Sequence, residues 1–182
     1  SKRLEITCGE APYIVSRYDA ATGEVIELKR RIGVLDRKLR VVNENIDDET
    51  EWFKWVLRAY QSVYGYEFQG DNLLIARINL LITFVDYMQD RWERIATDVE
   101  LKKIANIIAW NFWQMDGITD AIPFCGEIEE YHQFSLFDFV TGDKSEKQRD
   151  EKSRKVYCRI YDWRSGRSLT YKSMKEGRKH EI

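Results

Sequence analysis

Apolar residues recur along this chain in two rhythms: short runs that break at a glycine or an acid, and longer stretches at helical spacing. The first run, Leu4-Glu5-Ile6-Thr7-Cys8, ends in Gly9, Glu10, Ala11 and Pro12. It predicts a strand that delivers backbone into a sharp turn, because a residue without Cβ lets the chain turn and a ligand approach. The apolar and aromatic character continues from Tyr13 to Tyr18 and stops at residues 19–23, a polar cluster that predicts a loop or hairpin. In residues 29–42, Ile32, Leu35, Leu39 and Val42 fall at helical spacing with basic residues between them. Residues 45–50 are cap-forming and acidic, ahead of a helix whose buried face is Trp52, Val56, Tyr60 and Val63.

Residues 64–68, Tyr-Gly-Tyr-Glu-Phe, read as a second strand ending at an acid. Gln69 to Asn72 supply a turn and cap, and residues 73–88 predict a helix with Leu74, Ile78, Leu81, Ile82 and Val85 as its buried stripe. After a polar break near residues 90–98, Leu101, Ile104, Ala105 and Ile108 predict another helix ending near Trp110. Phe112 to Gly117 reads as a third strand, finishing in Asp116 and Gly117. This order of strands and helices predicts an α/β sandwich with a mostly parallel sheet and ligands at the carboxyl ends of its strands. Residues 156–163 and 168–172 flank a turn at 164–167 and predict a C-terminal β-hairpin, expected as an antiparallel addition to the sheet. Residues 143–155 are charged and aperiodic, which predicts a loop, and the basic end from Lys175 is expected to fray.

A chain of 182 residues, 43% of them hydrophobic, suffices for one substantial core. The expected organisation is a main unit over residues 1–123 and a loop-rich extension with the hairpin over 124–182. With 29 basic against 31 acidic residues there is no global pull towards DNA or a membrane surface, so any anion-binding surface must be local. Six Trp and ten Tyr can fill core and interface or stack on bases. The scattered Cys8, Cys125 and Cys158 argue against a disulfide framework and for a reducing cytoplasm. Cys125, His132 and Cys158 lack the paired spacing of a metal site, and no metal is expected. Apolar runs too short to span a bilayer point to a cytoplasmic chain with no membrane partner. The short approach to the first strand suggests a piece of something longer.

Three proposed strands thus end in turns bearing an acid or a glycine: Cys8-Gly9-Glu10, Glu67-Phe68 and Asp116-Gly117. A nucleoside ligand needs backbone close to its charged portion, a carboxylate for its ribose hydroxyls and an acceptor for the adenine amino group, and these turns offer each type.

Residues 4–13 resemble the first motif of the S-adenosylmethionine-dependent DNA adenine methyltransferases of bacterial restriction-modification systems. Residues 64–68 followed by Leu73-Leu74-Ile75-Ala76-Arg77-Ile78-Asn79-Leu80 resemble their second motif, and residues 107–117 occupy the third position. The resemblance covers residues 4–117 and implies a Rossmann-like methyltransferase three-layer sandwich. It further implies that Thr7, Cys8, Gly9 and Ala11 line the methionine end of S-adenosylmethionine, Glu67 holds the ribose, Phe68 touches adenine and Asp116 accepts from its amino group. DNA is the implied substrate, and the remainder of the methyltransferase or a second restriction-modification subunit an implied partner.

The chain departs from the family at two places. Ala11 stands where a second glycine is usual. The Asp/Asn-Pro-Pro-aromatic motif, which accepts the protons of the exocyclic amino group and stacks on the flipped base, is absent. Asp120-Ala121-Ile122-Pro123-Phe124 is a poor substitute, with the acid and proline two residues apart. The expected function is therefore cofactor binding within a DNA adenine-N6 methyltransferase, with catalytic residues unassigned. The alternative is a non-catalytic module that holds DNA or a partner subunit through residues 29–40 and the Arg-rich hairpin; methylation of RNA or a small molecule is a third reading.

Overall fold

The computed structural model describes residues 2–19, 21–124 and 156–177. Three parallel strands, β1 (Arg3–Ile6), β2 (Val63–Glu67) and β3 (Phe112–Gln114), form a sheet in the order β1-β2-β3. Between β1 and β2 lie a 3-10 turn at Leu28–Arg30 and helices α1 (Val34–Asn45) and α2 (Glu49–Tyr60); between β2 and β3 lie α3 (Gly70–Trp92) and α4 (Asp98–Asn111). A separate antiparallel pair, β4 (Arg159–Asp162) and β5 (Arg167–Thr170), leads into the short helix α5 (Tyr171–Gly177). The fold is mixed α/β, as the alternating pattern predicted.

Strand alternation assigns the two faces of the sheet. Val63 and Phe112 join the core that all four longer helices build, centred on Leu35, Trp52, Leu80 and Ile104. Their neighbours Tyr64, Tyr66 and Trp113 turn the other way and pack with Met115, Ile160 and Tyr171 beneath the hairpin. Gly65 faces the helices, where a Cβ would lie 2.9 Å from Cys8 Cβ and from the Phe112 ring, so only glycine lets the outer strands close at that level.

Several elements begin where their capping chemistry dictates. Asp48 accepts from Glu51 N–H to start α2, and Thr97 with Glu100 forms a capping box at α4. The predicted face of α2 is correct: Trp52, Val56, Tyr60 and Val63 are all buried. Of the α1 stripe, Leu35, Leu39 and Val42 are buried, but Ile32 is exposed because it precedes Gly33, the cap, and so lies outside the helix.

Helix α3 corrects the expected stripe. Leu74, Ile78 and Ile82 face outward and Leu81 and Val85 are half-buried, while Leu73, Ala76, Leu80, Phe84, Tyr87 and Met88 fill the core. The helix is apolar nearly all round, so periodicity alone could not choose a face, and Asn79 and Thr83 disguise the true one. Both are buried and bonded: Asn79 donates to Glu10 O at 3.2 Å and Thr83 to Asn79 O at 2.7 Å. In α4, Ile107 replaces the expected Ala105 on the buried side, Ala105 being exposed.

The hairpin forms as predicted but does not extend the parallel sheet. It covers the sheet's second face, tied through an Ala121–Tyr157 bridge, because the large rings of Tyr64, Tyr66 and Trp113 on that face need a cover. Lys175, expected in a frayed tail, closes the last turn of α5 and pairs with Asp120. The predicted loop at residues 143–155, Cys125 and His132 lie outside the described residues.

Candidate functional site

The carboxyl ends of β1 and β2 are joined by one side chain. Glu67, buried at the last position of β2, accepts from Gly9 N–H at 2.8 Å through Oε2 and from Phe68 and Gln69 N–H at 3.0 and 3.1 Å through Oε1. A carboxylate offers about four lone-pair positions. Backbone donors fill three of them, which leaves room for one further donor such as a hydroxyl.

The glycine turn has the geometry its sequence suggested. Cys8 N–H continues the ladder to Tyr66 O at 2.8 Å, and Ala11 N–H closes back on Cys8 O at 2.7 Å. Gly9 has φ +51°, and a Cβ there would meet no protein atom within 4 Å, so the space over the turn is open. Ala11 has φ 64° and is fully buried, adopting the left-handed conformation that glycine takes most readily. Asn79 supports the turn from α3 by its bond to Glu10 O.

Thr7, Cys8, Gly9 and Glu67 line a common cleft of about 730 Å³, a volume typical of small-molecule sites. Arg17 and Asn72 line it too, and neither was singled out from the sequence. The available signal for Arg17 was a lone charge inside an apolar run, and for Asn72 its place in the cap that follows an acid-tipped strand. Cys8 is no nucleophile: burial, then the nearby Glu67 charge, pushes its thiol up to about 12.

Ala11, Phe68 and Asp116 stand outside that lining. Ala11 lies beneath the turn. Phe68 sits edge-to-face with Phe124 at 5.8 Å between ring centres. Asp116 caps its own loop, accepting from Ile118 N–H at 2.8 Å and Thr119 Oγ1 at 2.9 Å. Phe68 remains tied to the third strand, since Gln114 Nε2 donates to its carbonyl at 2.9 Å. The carboxyl ends of the three strands lie side by side, but β3 stops at Gln114, short of the Asp116-Gly117 end expected from the sequence.

Asp120 is committed elsewhere. It is buried, has φ 57°, and its carboxylate receives Lys175 Nζ at 3.3 and 3.2 Å. Among the described residues no group of three or more His, Cys, Asp or Glu is placed to hold a metal ion, and no helix is long and apolar enough to cross a membrane. No protein-family model, curated protein or solved structure matches this chain.

Proposed function

We propose that this chain is the S-adenosylmethionine-binding portion of a DNA adenine-N6 methyltransferase of a restriction-modification system, built on a Rossmann-like sheet. The observation that carries the reading is Glu67 at the end of β2, bonded to Gly9 at the end of the neighbouring parallel strand within a cleft of nucleoside size. The donor set fits the cofactor. Glu67 keeps one acceptor position for a ribose hydroxyl, and Gly9 leaves open space against the backbone. When bound, S-adenosylmethionine supplies an electrophilic methyl group. The chain's own part is to bind and orient: Thr7, Cys8, Gly9 and Glu67 form the walls, while Phe68 and Asp116 wait on the same rim for the base end.

Base activation would fall to residues outside this chain, because its sequence lacks the Asp/Asn-Pro-Pro-aromatic motif and Asp120 is held by Lys175. The open edge of β1, where Leu4 and Ile6 are exposed, is the place where the remainder of the enzyme adds to the sheet. Calorimetry with S-adenosylmethionine tests the reading. Binding by the original protein and its loss in Glu67→Ala are expected; absence of heat from the original protein refutes cofactor binding, and efficient DNA methylation by this polypeptide alone refutes its being a portion.

A second reading rests on a groove of about 980 Å³ along β1, α1 and α2, whose lining includes Arg3, Arg37, Lys38 and Arg58 together with Glu5. A groove with this excess of cations suits a DNA backbone, and salt-dependent DNA binding without cofactor binding would favour a non-catalytic module.

A further inference from the structure

Two buried guanidiniums share one carboxylate beside the cleft. Arg17 and Arg31 both donate from Nη1 to Asp86 Oδ2, at 2.5 and 2.7 Å, and their residues are only 8% and 3% exposed. Asp36 is close enough to Arg31 to feel its charge, and burial pushes its carboxyl up. Both guanidiniums thus meet a single carboxylate oxygen.

The two arginines are not equivalent. Arg31 uses Nε on Ile26 O at 3.0 Å. Arg17 uses Nη1 twice, on Asp86 and on Thr83 Oγ1 at 3.2 Å, but its Nε is buried without an acceptor among the described residues. Among the described residues no hydrogen bond from its Nη2 accompanies these. The Nε–Nη2 edge of a guanidinium is a planar fork matched to the two oxygens of a carboxylate. Arg17 belongs to the lining of the same cleft as Gly9 and Glu67.

We infer that Arg17 is the receptor for the carboxylate at the amino-acid end of the cofactor, an assignment that rests on the cofactor reading above. A ligand carboxylate supplies the acceptor that the buried Nε of Arg17 lacks among the described residues. The anionic end of the ligand then lies against the segment after the glycine turn, with Glu67 at the ribose. Glu10 and Asp19 also line the cleft, but both are exposed. Asp19 is further engaged in capping its own turn through Ala21 and Thr22 N–H.

The test compares two ligands on the full chain: S-adenosylhomocysteine, which carries the carboxylate, and 5′-deoxy-5′-methylthioadenosine, which shares the thioether nucleoside and lacks it. Arg17→Lys keeps a cation near Asp86 and loses the fork. The expected result is about a tenfold or greater loss of affinity for S-adenosylhomocysteine with methylthioadenosine binding unchanged within about twofold. Equal weakening of both ligands, or of neither, overturns the assignment. Should Arg17→Lys fail to fold, the original protein is titrated with S-adenosylhomocysteine and its carboxamide; equal affinities overturn the role of Arg17 and leave the nucleoside site standing. Failure of the original protein to bind either thioether nucleoside overturns the cofactor reading and this assignment with it, whereas Glu67→Ala lowering the affinity of both ligands supports the site independently of Arg17.

Discussion

The carboxylate of Glu67 holds the backbone N–H of Gly9 at 2.8 Å, across 58 residues of sequence. The side chain is therefore structural before any ligand arrives. Glu67→Ala leaves three backbone donors without their acceptor and is expected to cost about 3 kcal/mol, whereas Glu67→Gln, which keeps an oxygen for Phe68 and Gln69, costs about 1 kcal/mol. Urea unfolding of the two variants checks the order, and calorimetry on the better-folded Gln variant separates loss of ligand from loss of fold.

Ala11 stands in the left-handed region with its methyl group wholly buried. Glycine there relieves strain of about 1 kcal/mol but loses a packed methyl and gains unfolded-state freedom of similar size, so Ala11→Gly should leave stability within about 0.5 kcal/mol. Ala11→Val, branched at Cβ at the same φ, should destabilise by about 3 kcal/mol or more. Thermal unfolding distinguishes the pair.

Gly65 sets the distance between the ligand-bearing turn and β3. A methyl group at this position meets Cys8 Cβ on one side and the Phe112 ring on the other, both at 2.9 Å. Neither is the free end of a flexible chain. Gly65→Ala is expected to lose about 1–3 kcal/mol and to weaken S-adenosylmethionine binding with no change at a contacting residue. Unchanged affinity would mean that the turn moves independently of β2.

Local chemistry was legible in the sequence where one residue decides the outcome. The cap within residues 45–50, the Gly9 turn and the Glu67 strand end each lie where the sequence pattern placed them. Patterns failed where two faces of an element are equally apolar, as in α3, or where tertiary cover decides, as for the hairpin that packs on Tyr64 and Tyr66. The site was half legible. That Glu67 would reach Gly9 is a long-range fact about adjacent strands, and the shared Asp86 between Arg17 and Arg31 joins segments that no periodicity connects.

Acid should loosen the start of α4. Glu100 receives Arg94 Nη1 and Nη2 at 3.1 and 2.7 Å and Thr97 N–H at 2.8 Å, and Arg94 foremost holds its carboxyl down to about 2. A carboxyl lowered in the folded state contributes stability above its unfolded value near 4.5, and that contribution is lost as pH falls from there to about 2. Arg94 is 33% exposed, so solvent screening limits the contribution to about 1 kcal/mol. Asp162, held low by Lys2, titrates in the same direction. Glu100→Gln should therefore flatten, without abolishing, the acid limb of a stability profile between about pH 4.5 and 2.

Asn111 is the joint at which the helices, the sheet and the hairpin meet. Fully buried at the last position of α4, it donates from Nδ2 to Tyr60 O at 3.1 Å and Val63 O at 2.8 Å, and its Oδ1 accepts from Trp163 Nε1 at 2.7 Å. Those three bonds fix the end of α2, the start of β2 and the turn of the hairpin around one amide whose orientation each partner specifies. Asn111→Ala orphans two carbonyls and an indole N–H and should cost about 3 kcal/mol. Asn111→Asp preserves shape and the bond to Trp163 but sets carboxylate oxygen against two carbonyls, so at neutral pH it should be at least as damaging as Ala. Protonation restores a donor to the Asp side chain. The Asp variant should therefore recover stability relative to Ala as pH falls below its raised pKa, and parallel urea titrations at pH 7 and pH 5 should show the gap closing or reversing. A gap independent of pH would mean that volume, rather than the donor pair, is what this position supplies.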